Sequence, residues 1–140
     1  MVDANEQAAQ KGARCDVLIV EDDEMQAQEI SEYLERGGLV VHSAVCGSDA
    51  TRMARDCPPH LALLDYNLPD TVGTDLAVEI RAIVPNLSII VMSGRIEGLS
   101  DDMIQSHGIK TFLRKPVRLS TLRQMIMTLV KAHRDGAATH

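Results

Sequence analysis

Charged and hydroxyl side chains follow several short apolar runs of the sequence, at the point where each run ends. Short apolar runs of this kind are typical of buried β-strands. If the strands lie parallel in one sheet, their carboxyl ends meet at one edge, where α/β proteins gather ligands and chemistry. The residues brought to that edge are Glu21, Asp22 and Asp23 after the first run, Asp65 after the third, Ser93 after the fourth and Lys115 after the fifth.

The carboxylates in this group require a compensating positive charge. Crowded carboxylates repel one another, and removal from water increases the cost. The ammonium of Lys115 is one source of compensation, and a bound divalent cation is another. Carboxylate oxygens without sulfur or imidazole ligands favour Mg²⁺ and argue against Zn²⁺.

These residue types together suit phosphoryl transfer. A metal ion and an ammonium can neutralise phosphoryl oxygens, the hydroxyl of Ser93 can hydrogen-bond one of them, and a carboxylate can act as the nucleophile. Asp65 is the best candidate for the nucleophile because it stands alone on its strand. Asp22 and a neighbouring carboxylate would then hold the metal ion.

Each of these residues also has a purely structural interpretation. Asp65 could end its strand and start a turn, since residues 67–70 have the composition of a loop. Residues 21–24 could form the acidic first turn of a helix, stabilised by the helix dipole. Lys115 could be a solvated lysine before a turn proline. These interpretations are each reasonable singly, but their coincidence at four strand ends favours a site.

Composition and charge restrict the class of protein. The 140 residues suffice for one domain, and the core must be aliphatic because only 2% of the residues are aromatic. Residues 1–107 hold 19 acidic and 7 basic residues, whereas residues 108–140 hold 1 and 7. The acidic majority argues against nonspecific binding of nucleic acid. We find no apolar stretch with the length of a membrane span and no secretion signal at the N-terminus.

The three cysteines are Cys15, Cys46 and Cys57. They form no Cys-x-x-Cys pair, so we interpret them as thiols in a reducing cytoplasm rather than as a disulfide framework or a zinc site.

Strand and helix patterns alternate strictly along the chain. Such alternation with short connections predicts a parallel sheet with helices on both faces. Residues 1–14 are interpreted as a flexible arm, 15–134 as a single domain and 135–140 as a flexible tail. The predicted strands are 16–20, 39–41, 61–64, 87–92 and 109–113, and the predicted helices are 24–36, 48–57 with Ser48 as its cap, one from Thr74 or Asp75 to Pro85, 100–106 and 118–134.

Four motifs, in this order and at this spacing, resemble the receiver domain of two-component response regulators, within the superfamily of chemotaxis regulators. The resemblance covers roughly residues 14–134 and implies a cytoplasmic protein of bacterial signalling. It implies a flavodoxin-like doubly wound (βα)5 fold, with a five-stranded parallel sheet in the order 2-1-3-4-5. The motifs are VLIVEDD at 17–23, LLDYNLP at 63–69 with Gly73 following, IVMSG at 90–94 and FLRKP at 112–116.

The resemblance implies roles for the polar residues at the sheet edge. Asp65 matches the phosphoacceptor, which takes a phosphoryl group from a kinase phosphohistidine. Asp22 matches a direct Mg²⁺ ligand, Glu21 an acidic neighbour that acts through water, and Asn67 a residue whose backbone carbonyl also binds the ion. Lys115 matches the lysine that pairs with the phosphoryl oxygens, and its bond to the following proline is usually cis in the family.

A switch is also implied by the resemblance. Phosphorylation adds about −1.5 to −2 charges and three acceptor oxygens. Ser93 matches the switch hydroxyl and Phe112 the switch aromatic, so movement of the first would let the second rotate inward and change the helix 4–strand 5–helix 5 surface. The commoner tyrosine is replaced by Phe112, and Gly94 leaves the backbone after Ser93 loose.

The function implied is phosphorelay signalling. The domain would catalyse only its own aspartyl phosphorylation and dephosphorylation, so it is not an enzyme acting on a metabolite. Its partners would be a sensor histidine kinase or phosphotransfer protein and a downstream effector protein, with a possible homodimer through the helix 4–strand 5–helix 5 surface. Direct contact with nucleic acid or a membrane is not expected.

Three alternatives remain open. The first is a degenerate receiver that acts as a phosphorylation-independent interaction domain. This alternative is disfavoured because all four site residues are present, namely Asp22, Asp65, Ser93 and Lys115. The second is a small hydrolase or phosphatase that uses Asp65 covalently. It would need a general acid near the nucleophile, but position 67 is Asn and the familiar Asp-x-Asp arrangement is absent. The third is a nucleic-acid binder, which only the basic last helix supports.

Overall fold

Five parallel strands form one sheet in the order β2-β1-β3-β4-β5, which is the flavodoxin-like order predicted. The computed structural model describes residues 14–95, 102 and 106–138. The helix predicted for 100–106 lies mainly outside the described residues, so the final helix is numbered α4. The elements are β1 (Cys15–Val20), α1 (Glu24–Arg36), β2 (Val41–Ala44), α2 (Gly47–Asp56), β3 (Pro59–Asp65), α3 (Gly73–Ile83), β4 (Ser88–Ser93), β5 (Ile109–Arg114) and α4 (Leu119–Ala138).

The sheet separates two aliphatic core layers. Alternate residues of β1 enter opposite layers, because successive side chains of a strand point to opposite faces. Leu18 and Val20 pack toward α2 and α3, whereas Val17 and Ile19 pack toward α1 and α4. Strands β1, β3 and β4 are therefore covered on both faces, as their continuous apolar runs predict.

Helix α1 has the predicted bounds and buries the predicted apolar stripe. Its N-cap is Asp23, whose carboxylate accepts hydrogen bonds from two amides of the first turn. Capping of this kind stabilises a helix start because those amides have no partner within the helix. Ala27, Ile30 and Leu34 are buried, and the chain leaves the helix through Gly38, which has a φ of 93°. That left-handed conformation favours glycine.

The prediction for the second strand was wrong by several residues. The strand is Val41–Ala44 rather than 39–41. Leu39 is buried, but its backbone amide donates to the end of α1 instead of to a strand. The apolar run stops at Val41, but the strand continues through the polar His42 and Ser43 at the edge of the sheet.

Several other boundaries also differ from the prediction. Helix α3 begins at Gly73, one residue before Thr74, and β3 begins at Pro59 rather than at 61. Helix α4 continues to Ala138, past the predicted end at 134. Proline is tolerated at the first position of a strand, and the polar composition of the last residues gave no signal that the helix continues.

The predicted cap of the second helix was wrong as well. Helix α2 begins at Gly47, its N-cap is Cys46, and Ser48 lies inside the first turn. The amides of Gly47 and Ser48 instead donate to the carboxylate of Asp70, which lies in the loop after β3. A distant residue therefore supplies the cap that the local sequence lacks.

The amino end of the sheet holds a charged cluster that the sequence did not reveal. Asp16 is fully buried and accepts hydrogen bonds from the amide of Val40, at 2.8 Å, and from Arg134. Its carboxylate also lies 3.0 Å from the Nε of Arg14. A buried carboxylate needs such partners, and the hydrogen bond from Arg134 connects the end of α4 to β1.

No described helix has both the length and the apolar character needed to cross a membrane.

His60, at the start of β3, gives a testable dependence of stability on pH. Its Nδ1 lies 2.5 Å from the Nδ1 of His133 on α4. Burial lowers the pKa of His60, and the neighbouring His133 lowers it further. The negative charge of Asp16 raises this pKa, whereas the positive charges of Arg134 and Arg14 lower it. A histidine with a lowered pKa is protonated first in the unfolded chain, so the folded state loses stability as the pH falls below about 6.5.

We therefore expect the free energy of unfolding of the wild type to fall relative to that of His60→Gln between pH 7 and pH 5. Urea unfolding of both proteins at each pH measures the difference in their free energies of unfolding. A difference that stays constant or grows on acidification would contradict the role given to His60.

Candidate functional site

Three carboxylates converge at the carboxyl edge of the sheet. Glu21 and Asp22 follow β1, and Asp65 ends β3, the neighbouring parallel strand. The pairing of Val20 with Leu64 brings the two strand ends level with each other. One oxygen from each carboxylate lies within 4.8 Å of the others. The structure thus brings these three predicted site residues together.

Lys115 supplies the positive charge beside this cluster. It follows β5, and its backbone amide donates to the carbonyl of Ser93 at 2.8 Å. Its Nζ lies 3.0 Å from Oε2 of Glu21 and 3.2 Å from Oδ1 of Asp65. The ammonium therefore bridges two carboxylates that come from different strands. The peptide bond between Lys115 and Pro116 is cis, as predicted.

Burial and the contact between Glu21 and Lys115 have opposite effects on the pKa of each of these two residues. Burial raises the pKa of Glu21, and the charge of Asp65 raises it further, while the hydrogen bond from Lys115 opposes both. Burial alone would lower the pKa of Lys115, but its hydrogen bond to Glu21 and the charge of Asp65 raise it overall. Lys115 therefore stays protonated at neutral pH and offsets part of the repulsion between the carboxylates.

The predicted metal ligands form an oxygen-rich site. Glu21 is 1% exposed and Asp65 is 6% exposed, whereas Asp22 is open to solvent. Asn67 is exposed in the loop after β3, and its amide lies 3.4 Å from Oδ1 of Asp65. Hard oxygen donors with one side open to water fit Mg²⁺, which keeps several waters when bound. The Mg²⁺ site and its ligand set remain a prediction.

Gly73 lies directly behind the phosphoacceptor candidate. A Cβ atom at this position would come within 2.6 Å of the carbonyl oxygen of Asp65 and 3.0 Å of the Cα of Tyr66. Its amide also donates to the carbonyl of Tyr66 at 2.7 Å. Glycine is therefore required here because the first turn of α3 packs against the backbone of Asp65.

We expect Gly73→Ala to lower the free energy of unfolding by about 2 kcal/mol, because backbone atoms must move to admit the methyl group. Gly94→Ala is the matched control, since a Cβ there would have nothing within 4 Å. Chemical denaturation of both variants makes the comparison. Equal stability of the two variants would contradict the close contact at Gly73.

The predicted switch residues lie on two neighbouring strands, Ser93 at the end of β4 and Phe112 on β5. Ser93 is buried, and its Oγ donates to the carbonyl of Arg95 at 2.6 Å and accepts from the Arg95 amide at 3.2 Å. The hydroxyl is thus engaged within its own loop in this structure. Phe112 is half-buried and packs against the core layer beneath α2 and α3. Their participation in a switch stays a prediction.

Comparison with known sequences reveals extended similarity. The model of the response regulator receiver domain family matches residues 17–127. The transcriptional regulatory protein CssR of Bacillus subtilis is 31% identical over 117 residues, which span 79% of this chain and 52% of CssR. The cell cycle transcriptional regulator CtrA of Caulobacter vibrioides is 28% identical over 121 residues, with 86% and 52% covered. The chain spans about half the length of these curated relatives.

Solved structures agree with the topology. A CheY-like response regulator receiver domain protein from Methanospirillum hungatei aligns with a TM-score of 0.81 and 23% identity, over 89% of this chain and 99% of that chain. The non-phosphorylated HemR receiver domain of Leptospira biflexa aligns with a TM-score of 0.75 and 26% identity, over 84% and 94%. At 23% identity, the first of these shows the fold alone.

Proposed function

The chain belongs to the response regulator receiver domain family, and from that premise we propose that it accepts a phosphoryl group on Asp65 with the help of Mg²⁺. The donor is the phosphohistidine of a sensor histidine kinase or of a phosphotransfer protein. The observation that carries the proposal is the convergence of Asp65, Glu21 and Asp22 beside the ammonium of Lys115.

The residues have distinct tasks in the transfer. A carboxylate oxygen of Asp65 attacks phosphorus, the bond from phosphorus to the donor nitrogen breaks, and an acyl phosphate forms. Lys115 exchanges part of its contact with Asp65 for a phosphoryl oxygen and so offsets the new charge. Asp22, Glu21, Asp65 and the backbone carbonyl of Asn67 would hold Mg²⁺, which when bound neutralises charge on the phosphoryl oxygens.

The phosphoryl group then alters the surface through Ser93 and Phe112. A phosphoryl oxygen competes for the Ser93 hydroxyl, which now donates to Arg95. Movement of Ser93 opens space into which the Phe112 ring rotates, and the helix 4–strand 5–helix 5 surface changes. Strand 5 and helix 5 of this surface are β5 and the last helix, which is labelled α4 here. Helix 4 is the one predicted for 100–106, which lies mainly outside the described residues. That surface contacts a downstream effector protein in the cytoplasm or forms a homodimer.

Incubation with acetyl phosphate, with and without Mg²⁺, tests the proposal by intact mass. We expect a gain of one phosphoryl group that depends on Mg²⁺, since the small donor supplies the same group as the kinase. Isothermal titration with Mg²⁺ accompanies it. Absence of both the mass gain and Mg²⁺ binding would favour the degenerate receiver, which interacts without phosphorylation.

A further inference from the structure

Asp70 connects the loop after β3 to the start of α2. Its Oδ1 accepts from the amide of Gly47 at 2.8 Å, and its Oδ2 accepts from the amide of Ser48 at 3.0 Å. The N-cap residue Cys46 makes no side-chain hydrogen bond to the helix amides. One carboxylate thus binds two amides of a helix that starts 23 residues earlier in the chain.

The contact between this loop and the helix is close as well as polar. A Cβ at Gly47 would lie 2.7 Å from Cγ2 of Thr71 and 3.2 Å from Oδ1 of Asp70. Glycine at position 47 therefore lets the loop approach the helix amides. The hydrogen bonds from Gly47 and Ser48 lower the pKa of Asp70, so the charged carboxylate is the form that makes this contact at neutral pH.

The loop itself is hydrogen-bonded across its width. Asn67 and Val72 form an antiparallel bridge, and the amide of Leu68 donates to the carbonyl of Thr71 at 3.2 Å. Asp70 lies at the tip, and Asn67 lies at the base with its amide toward Asp65. Because the two sides of the loop are joined, we expect a displacement at the tip to move Asn67, whose backbone carbonyl is one of the predicted metal ligands.

We propose that Asp70 is a positioning residue for the metal site. By binding the start of α2, it holds the loop in the conformation that keeps the backbone of Asn67 beside Asp65. The inference rests on the proposed function, because it concerns the Mg²⁺ site of that function. By reciprocity, Mg²⁺ binding must also stabilise the contact between Asp70 and α2.

Isothermal titration with Mg²⁺ at constant ionic strength tests the inference on three proteins. We expect Asp70→Ala to bind Mg²⁺ about tenfold more weakly than the wild type, as is usual when the support of a metal ligand is removed. Asp49→Ala is the matched control, because Asp49 is an acidic residue of α2 that pairs with Arg52. Affinity of Asp70→Ala equal to that of the wild type would overturn the inference alone. A wild type that binds no Mg²⁺ would overturn the proposed function and this inference with it.

Amide hydrogen exchange of the wild type gives a second test that needs no variant. We expect saturating Mg²⁺ to slow exchange at Gly47 and Ser48 about fivefold, since binding and capping are coupled. A cap with only a structural role would leave these two rates unchanged when the metal is added. Unchanged rates would therefore overturn the inference even where Asp70→Ala fails to fold.

Discussion

Replacing Asp65 by asparagine is expected to abolish the gain of a phosphoryl group. The asparagine amide has nearly the shape of the carboxylate, but it carries no negative charge and its oxygen is a poor nucleophile. Asp65 is buried, and its Oδ1 lies 3.2 Å from the ammonium of Lys115, which orients the carboxylate. Intact mass after incubation with acetyl phosphate and Mg²⁺ measures the effect. Asp75→Asn is the control, because Asp75 is exposed in the first turn of α3.

The same substitution is expected to leave the fold intact. Without Mg²⁺, Asp65→Asn removes one of three crowded carboxylates, while Lys115 keeps its contact with Glu21 at 3.0 Å. We therefore expect a melting temperature equal to or above that of the wild type without metal, and less stabilisation by added Mg²⁺. An unfolded variant would contradict the expected tolerance of the fold. A variant that still gains the phosphoryl group would contradict the role given to Asp65.

Replacing Lys115 by methionine is expected to lower the free energy of unfolding by about 3 kcal/mol without Mg²⁺. Glu21 and Asp65 are buried, and the substitution leaves both without the cation that now lies between them. Breaking a buried charge group by removing one partner is strongly destabilising. Urea unfolding in the presence of a chelator measures the loss. Lys110→Met is the matched control, since Lys110 is an exposed lysine on β5.

Added Mg²⁺ should reduce this loss of stability. A divalent cation bound by the same carboxylates replaces the missing positive charge, so the deficit of Lys115→Met relative to the wild type should shrink as Mg²⁺ is titrated. A variant as stable as the wild type in chelator would show that the lysine does not offset the carboxylates. A deficit independent of Mg²⁺ would show that the metal does not bind beside Glu21 and Asp65.

The sheet edge was predictable because its residues follow strong local signals. Apolar runs ending in Glu21, Asp65 and Ser93 mark buried strands, and alternation with helices makes those strands parallel. The strand order came from the family resemblance, since alternation alone permits several orders. Gly73 could be identified within its motif, but its contact with the backbone of Asp65 emerges only when α3 is packed on β3.

The remaining features depend on contacts between distant positions. Asp70 has the local signature of a turn residue, and only the folded sheet brings it to the amide of Gly47. Arg134 and Asp16 are separated by 118 positions, so no local pattern pairs them. The second strand was misplaced for a related reason: its polar residues become strand only because β1 offers its backbone groups for pairing.

The position of the phosphoryl group tests the central claim most directly. Borohydride reduction of the phosphorylated protein converts an aspartyl phosphate to homoserine, and peptide mass analysis then locates the altered residue. We expect homoserine at position 65 alone, and only after incubation with Mg²⁺. Homoserine at Asp22, or a modified protein in which Asp65 is unchanged, would contradict the assignment of Asp65 as the phosphoacceptor.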